Sequence, residues 1–111
     1  MKKIVYSFML SSALFAGNYE DGMKAYQSQD YKNAVDFFQK SSKNDKDARS
    51  TRNIGLMHLF GQGVEKNQDK AIKYLKQAAI NNETFASNKL GEIYALKKDF
   101  KEASVWFEKA S

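Results

Sequence analysis

The sequence predicts an all-α protein built from three helix pairs, and three observations carry that expectation. The 111 residues contain no proline. Lys, Gln, Glu, Ala, Leu and Met, which lose little side-chain freedom in a helix, are plentiful. One pattern of small and bulky residues is also written three times along the chain, a period that decides the fold class before any single element is assigned. With 42% hydrophobic and 14% aromatic residues, the length suits one domain and is short for two.

The first residues differ from the rest. Lys2 and Lys3 precede a stretch from Ile4 to Ala16 in which ten of thirteen residues are apolar and none is charged. A basic start, a short apolar run and small Ala16 at its end predict a secretory signal peptide over residues 1–16, with an exported, periplasmic or secreted mature chain. The run is too short to span a hydrocarbon core of roughly 30 Å, so no transmembrane anchor is predicted. A buried first helix or an uncleaved, envelope-associated leader are the alternatives. Residues 17–111 then form the repeat domain.

The first copy spans residues 18–42. Gly22 is followed twelve positions later by Ala34, then by Phe37, Phe38 and Ser41. The third, residues 83–111, keeps that spacing with Gly91, Ala103, Trp106, Phe107 and Ala110. The second, residues 48–80, has Gly55, Ala71, Tyr74, Leu75 and Ala78, with four extra residues falling at Gly61-Gln62-Gly63-Val64. The small residue, the bulky pair and the second small residue share one helical face in each copy. Helices are predicted near 18–28, 31–42, 48–60, 68–80, 83–97 and 100–110. Asp30, Asn67 and Asp99 precede the second helix of each pair, where they can accept from orphan amides. Asp99 and Glu102 have the spacing of a capping box.

These residues resemble the tetratricopeptide repeat superfamily. The middle copy, through Ile54-Gly55, Gly61-x-Gly63-Val64, Lys70-Ala71 and Lys76-x-Ala78-Ala79, resembles a Sel-one-like repeat in particular. Residues 85–111 are similar to the ordinary tetratricopeptide unit through Leu90-Gly91, Tyr94, Ala103, Phe107 and Ala110. In the first copy Asp21 stands where the others have Ile54 or Leu90. The resemblance implies a right-handed α-solenoid used for protein recognition, with the first helix of each pair lining a concave groove. Carried over from the repeat positions, the implied binding residues are Tyr19, Met23, Tyr26, Arg49, Arg52, Leu56, Asn88 and Glu92, and the implied partner is a protein or an extended peptide. Apolar anchors beside two arginines suit such a partner, because Arg pairs bidentately with carboxylates.

Other chemistries find little support. Gly61 and Gly63 follow a helix instead of a strand, and Lys66 precedes Asn67 where a phosphate loop has Ser or Thr, so the glycines predict a turn. His58 is the only histidine and there is no cysteine; no metal site, cofactor or thiol nucleophile is predicted, and a packing role is expected for His58. Ser41, Ser42, Ser50, Ser87 and Ser104 lack the context of an activated nucleophile. The net charge of +5 falls to about +3 without the leader, and the two arginines form no basic stripe, so no nucleic-acid partner is expected. The chain reads as a non-enzyme. The alternative, implied by resemblance to exported cysteine-rich proteins with Sel-one-like repeats, is weak beta-lactamase or penicillin-binding activity. Finally, Val105-Trp106-Phe107 in the last helix predicts an apolar face that docks another molecule, with a second copy of the chain as the candidate.

Overall fold

The computed structural model describes residues 17–111, and the predicted leader lies outside them. Six helices follow one another: α1 (Asn18–Gln27), α2 (Tyr31–Asn44), α3 (Ala48–Phe60), α4 (Gln68–Ile80), α5 (Thr84–Leu96) and α6 (Phe100–Ala110). Each packs chiefly against its neighbours in the chain, α1 on α2, α3 on α4 and α5 on α6, with α2 on α3 and α4 on α5 joining the pairs. That is the contact pattern of an α-solenoid, in which every unit touches only the units beside it.

Capping residues set most of the boundaries. Asp30, Asn67 and Asp99 accept from the backbone amides of Asn33, Lys70 and Glu102, as their positions predict. The first helices of the second and third pairs are capped as well: Asp47 accepts from Arg49 N, and Glu83 from Ala86 N at 2.7 Å. Glu83 and Lys97 therefore flank α5 instead of belonging to it, while α2 continues to Asn44. Only half of the expected capping box forms. Glu102 does not return to Asp99; its carboxylate accepts from Trp106 Nε1 at 3.1 Å, and the Asp99 amide donates to Tyr94 O. A buried indole N–H that needs an acceptor outcompetes an amide already satisfied.

Packing, more than capping, holds the pairs together. Helices of 10–14 residues are marginal alone, and a cap contributes about 1 kcal/mol. Fully burying one large apolar side chain contributes roughly 1.5–3 kcal/mol. One apolar cluster joins Ala34, Val35 and Phe38 of α2 to Ile54 and Met57 of α3. A second joins Ile72, Leu75, Ala78 and Ala79 of α4 to Ala86, Leu90 and Ile93 of α5 and Trp106 of α6. Ser41, which stands where the other copies have Ala78 and Ala110, is buried at the α2–α3 crossing and accepts from Ser50 Oγ at 2.7 Å. Among the described residues no buried side-chain N or O lacks a partner.

Within each pair the helices meet at the repeated glycine. A Cβ on Gly22 would lie 2.5 Å from the Phe38 ring, one on Gly55 2.9 Å from Leu75 Cγ, and one on Gly91 2.5 Å from the Phe107 ring. All three distances are below ordinary contact, so the bulky side chain sits in a notch that only glycine leaves open. Phe38 and Leu75 are fully buried there, whereas Phe107 is 41% exposed. In the third copy it is the preceding residue, Trp106, that is buried.

This difference separates two substitutions. Gly22→Ala must displace an enclosed ring and is expected to destabilise by about 1–3 kcal/mol even after the helix-propensity gain. Gly91→Ala meets a ring with open space beside it and should cost distinctly less. Urea denaturation followed by circular dichroism measures both, and equal losses would contradict the notch assignment.

Candidate protein-interaction site

The four extra residues of the middle copy form a turn. Gly61 and Gly63 adopt positive φ of 68° and 72°, and Gln62 N and Asn67 N donate to Met57 O and His58 O. A Cβ on Gly63 would lie 2.5 Å from Tyr31 O, so the loop is pressed against a backbone carbonyl of the preceding pair. Phosphate would be repelled there. Val64 packs into the α2–α3 cluster, and the Tyr26 hydroxyl donates to Gln62 Oε1 at 3.1 Å. His58 is buried in the same region, stacked on Tyr74 with ring centroids 5.5 Å apart and planes 4° apart. It fills the packing place expected of it.

The predicted groove residues fall on α1, α3 and α5, and side chains link these first helices across the repeats. Tyr19 of α1 lies under the Arg49 guanidinium, 3.8 Å from ring centroid to Cζ. Met23 Sδ accepts from Asn53 Nδ2 at 3.7 Å. Arg52 of α3 pairs with Glu83 at 2.9 Å, just before α5, and lies 5.6 Å from the centroid of the Phe85 ring. Met23, Tyr26 and Leu56, with Asn53 and Met57, line an apolar cavity of about 190 Å³ between α1 and α3. Asn88 is exposed, and Glu92 pairs with Lys89 at 2.8 Å. Neither lines that cavity.

The arginines do not stand ready for an external carboxylate. Arg49 makes two hydrogen bonds to Asp47, Nε to Oδ1 at 3.0 Å and Nη2 to Oδ2 at 2.7 Å. Arg52 and Glu83 are both largely buried, at 20% and 12% side-chain exposure, and Arg52 Nε also donates to Asn53 Oδ1. Glu83, which the predicted bounds place inside a helix, and Asp47 each cap a helix and neutralise an arginine. Asn53, Met57, Phe85 and Gln62 were missed. For Asn53 the available signal was proximity, since it lies three positions before Leu56 and four after Arg49, with Met57 four positions further on. Phe85 carried a signal as well, because it occupies in α5 the position of Arg49 in α3.

Two further surfaces are open. A more polar hollow of about 400 Å³ is lined by Ser42, Lys46, Thr51, Gln77 and Asn81, with Ala48 and Ile80. On α6, Phe100, Val105 and Phe107 are exposed, the region for which the sequence predicts a docking partner. No described helix is long and apolar enough to cross a membrane.

Three glycine-notched helix pairs, the middle one carrying an inserted G-x-G-Val loop between its helices, define an α-solenoid repeat protein. The chain belongs to the Sel1 repeat family, whose model matches residues 10–46, 48–83 and 85–111. It is similar to the crystal structure of a Sel1 repeat protein from Oxalobacter formigenes, with 29% sequence identity and a TM-score of 0.77; the match covers 84% of this chain and 41% of that one. The chain thus spans less than half the length of that solved relative. Sel1 repeats generally act as protein-interaction scaffolds and are typically non-enzymatic.

The Arg49 hydrogen bonds hold the Asp47 carboxyl below its ordinary value, with burial opposing them. Stability from this lowered group is present above the unfolded carboxylate value and is lost as pH falls through the folded one. Asp47→Asn keeps a good capping side chain but removes the charge. It is expected to cost at most about 1 kcal/mol at neutral pH, because Arg49 is half exposed, and to flatten the acid limb of the stability profile. An unchanged acid limb in thermal melts across that range would contradict this role.

Proposed function

We propose that this chain is an exported, non-enzymatic scaffold that binds a protein or peptide partner along the face of its first helices, with Tyr19, Met23, Tyr26, Arg49, Arg52, Leu56, Asn88 and Glu92 as its contact residues. The observation that carries this reading is the apolar opening between α1 and α3, lined by Met23, Tyr26 and Leu56 and flanked by side chains already locked to their neighbours. A surface held in one geometry loses little freedom on binding, which favours affinity. The double variant Arg49→Ala/Asn88→Arg changes two exposed positions of this face. Crosslinking capture from the source envelope fraction is expected to fall about tenfold, equivalent to about 1.4 kcal/mol, with the melting temperature little changed. An identical set of captured proteins at undiminished yield would reject the groove.

Export and self-association belong to the same reading. Cleavage after Ala16 gives a mature form beginning at Gly17, and the exposed Phe100, Val105 and Phe107 on α6 support pairing of two copies through that helix. Native mass spectrometry of the exported protein tests both. We expect a dimer of chains that start at Gly17, dissolved by Phe100→Ser/Val105→Ser; retained residues 1–16 reject the export reading, and a strict monomer rejects the self-association.

The alternative hydrolase reading is weaker. The sequence lacks the cysteines of the exported relatives that suggest it. Ser41, Ser50 and Ser87 are buried, and the Ser50 hydroxyl donates to Ser41, which withdraws these groups from any substrate.

A further inference from the structure

The groove reading leaves open what chemistry the partner presents. Charge narrows the choice first. All three Lys and Arg side chains on α3 and α5 have carboxylate partners within the chain: Arg49 with Asp47, Arg52 with Glu83 and Lys89 with Glu92. Glu92 is in turn the only carboxylate those two helices carry. An acidic or a basic segment arriving here would have to compete with bonds already made, two of them through a bidentate or largely buried guanidinium. These two helices thus present a balanced charge to the partner, and α1, the other wall, adds two carboxylates, Glu20 and Asp21, against Lys24.

Size and lining narrow it further. A cavity of about 190 Å³ is smaller than the pockets of several hundred Å³ that hold cofactors or drug-sized ligands. An apolar cavity of about 150 Å³ is enough to hold benzene. Its walls are two thioethers, Met23 and Met57, the Tyr26 ring and Leu56. Thioether sulfur makes favourable contacts with an aromatic ring, and methionine adapts its shape around one. A tyrosine ring adds an edge-to-face partner. The polar atoms at the rim are engaged: Tyr26 Oη with Gln62, Asn53 Oδ1 with Arg52, and Asn53 Nδ2 with Met23 Sδ.

We propose that the cavity between α1 and α3 is a receptor for a single phenylalanine-type side chain, presented by an uncharged segment of a partner protein. The proposal rests on the groove reading and specifies its anchor point.

The test uses the full 111-residue chain carrying isotope-labelled methionine methyl groups, titrated with N-acetyl-phenylalaninamide as the probe. The Met23 and Met57 methyl signals are expected to move upfield and saturate with millimolar affinity, while N-acetyl-leucinamide and N-acetyl-aspartamide bind about tenfold more weakly. Leu56→Trp, which fills the cavity, abolishes the shifts; Met23→Trp fills it from the opposite wall and serves if the first variant does not fold. Absence of a saturable shift in the folded wild-type chain overturns the proposal, and so does an equal response to the aspartate derivative. Envelope-fraction capture that survives Leu56→Trp but is lost in Arg49→Ala/Asn88→Arg overturns the ring receptor and leaves the groove standing. Capture indifferent to both variants removes the groove itself.

Discussion

Three glycines facing three bulky side chains are the contact on which the structure depends. With Gly22, Gly55 and Gly91 each leaving room for a side chain of the partner helix, the two helices of a pair approach closely enough for the alanines beside them to be buried. Ala34, Ala71 and Ala103 have almost no exposure. A larger residue at the notch would force the helices apart and open voids along the whole seam, because a packed core does not absorb volume gradually. The first helix of each pair is thereby fixed against the second, and the stacking of pairs inherits that placement.

Local fixation has an electrostatic counterpart. Asp47 and Glu83 occupy equivalent places before α3 and α5, and each does two things: it caps its helix and takes an arginine. Arg52 reaches from α3 to the cap of α5, so one ion pair ties adjacent pairs together. The cost of placing the largely buried Arg52 and Glu83 out of water is offset by further hydrogen bonds, from Arg52 Nε to Asn53 and from the Ala86 amide to Glu83. A face built in this way has spent its charges on its own geometry.

Much of the architecture was legible in the sequence, because small and bulky residues at fixed spacing can be read without coordinates. The six helices, the turn at Gly61-Gln62-Gly63 and the packing place of His58 all follow from periodicity and from which residues tolerate a left-handed turn. The charged residues were less legible. Whether Arg49 faces a partner or Asp47 depends on the turn conformation two residues upstream, and the Arg52–Glu83 contact spans 31 positions, beyond the reach of any local pattern. The half-formed capping box at Asp99 has the same cause: the Trp106 indole, brought over Glu102 by the helix, competes for a carboxylate that sequence spacing assigns to the backbone. The cavity was partly visible, since Met23, Tyr26 and Leu56 follow from the repeat register, but Asn53 and Met57 gain their meaning only when α1 lies beside α3.

The inserted loop shows why fold and surface cannot be separated here. Its glycines let the chain reverse after α3, and the close approach of Gly63 to Tyr31 O carries the turn back onto the preceding pair. That return places Gln62 where it accepts from Tyr26 and brings Val64 into the α2–α3 cluster. Tyr26 meanwhile packs edge-on against Tyr31, with ring centroids 5.1 Å apart. One wall of the α1–α3 cavity is therefore held by a segment belonging to the next repeat, so the cavity's shape is a property of two stacked units and not of either alone. An insertion that appears in sequence to serve only the turn also determines how the surface is presented, because in a structure held by neighbour contacts the same atoms must do both.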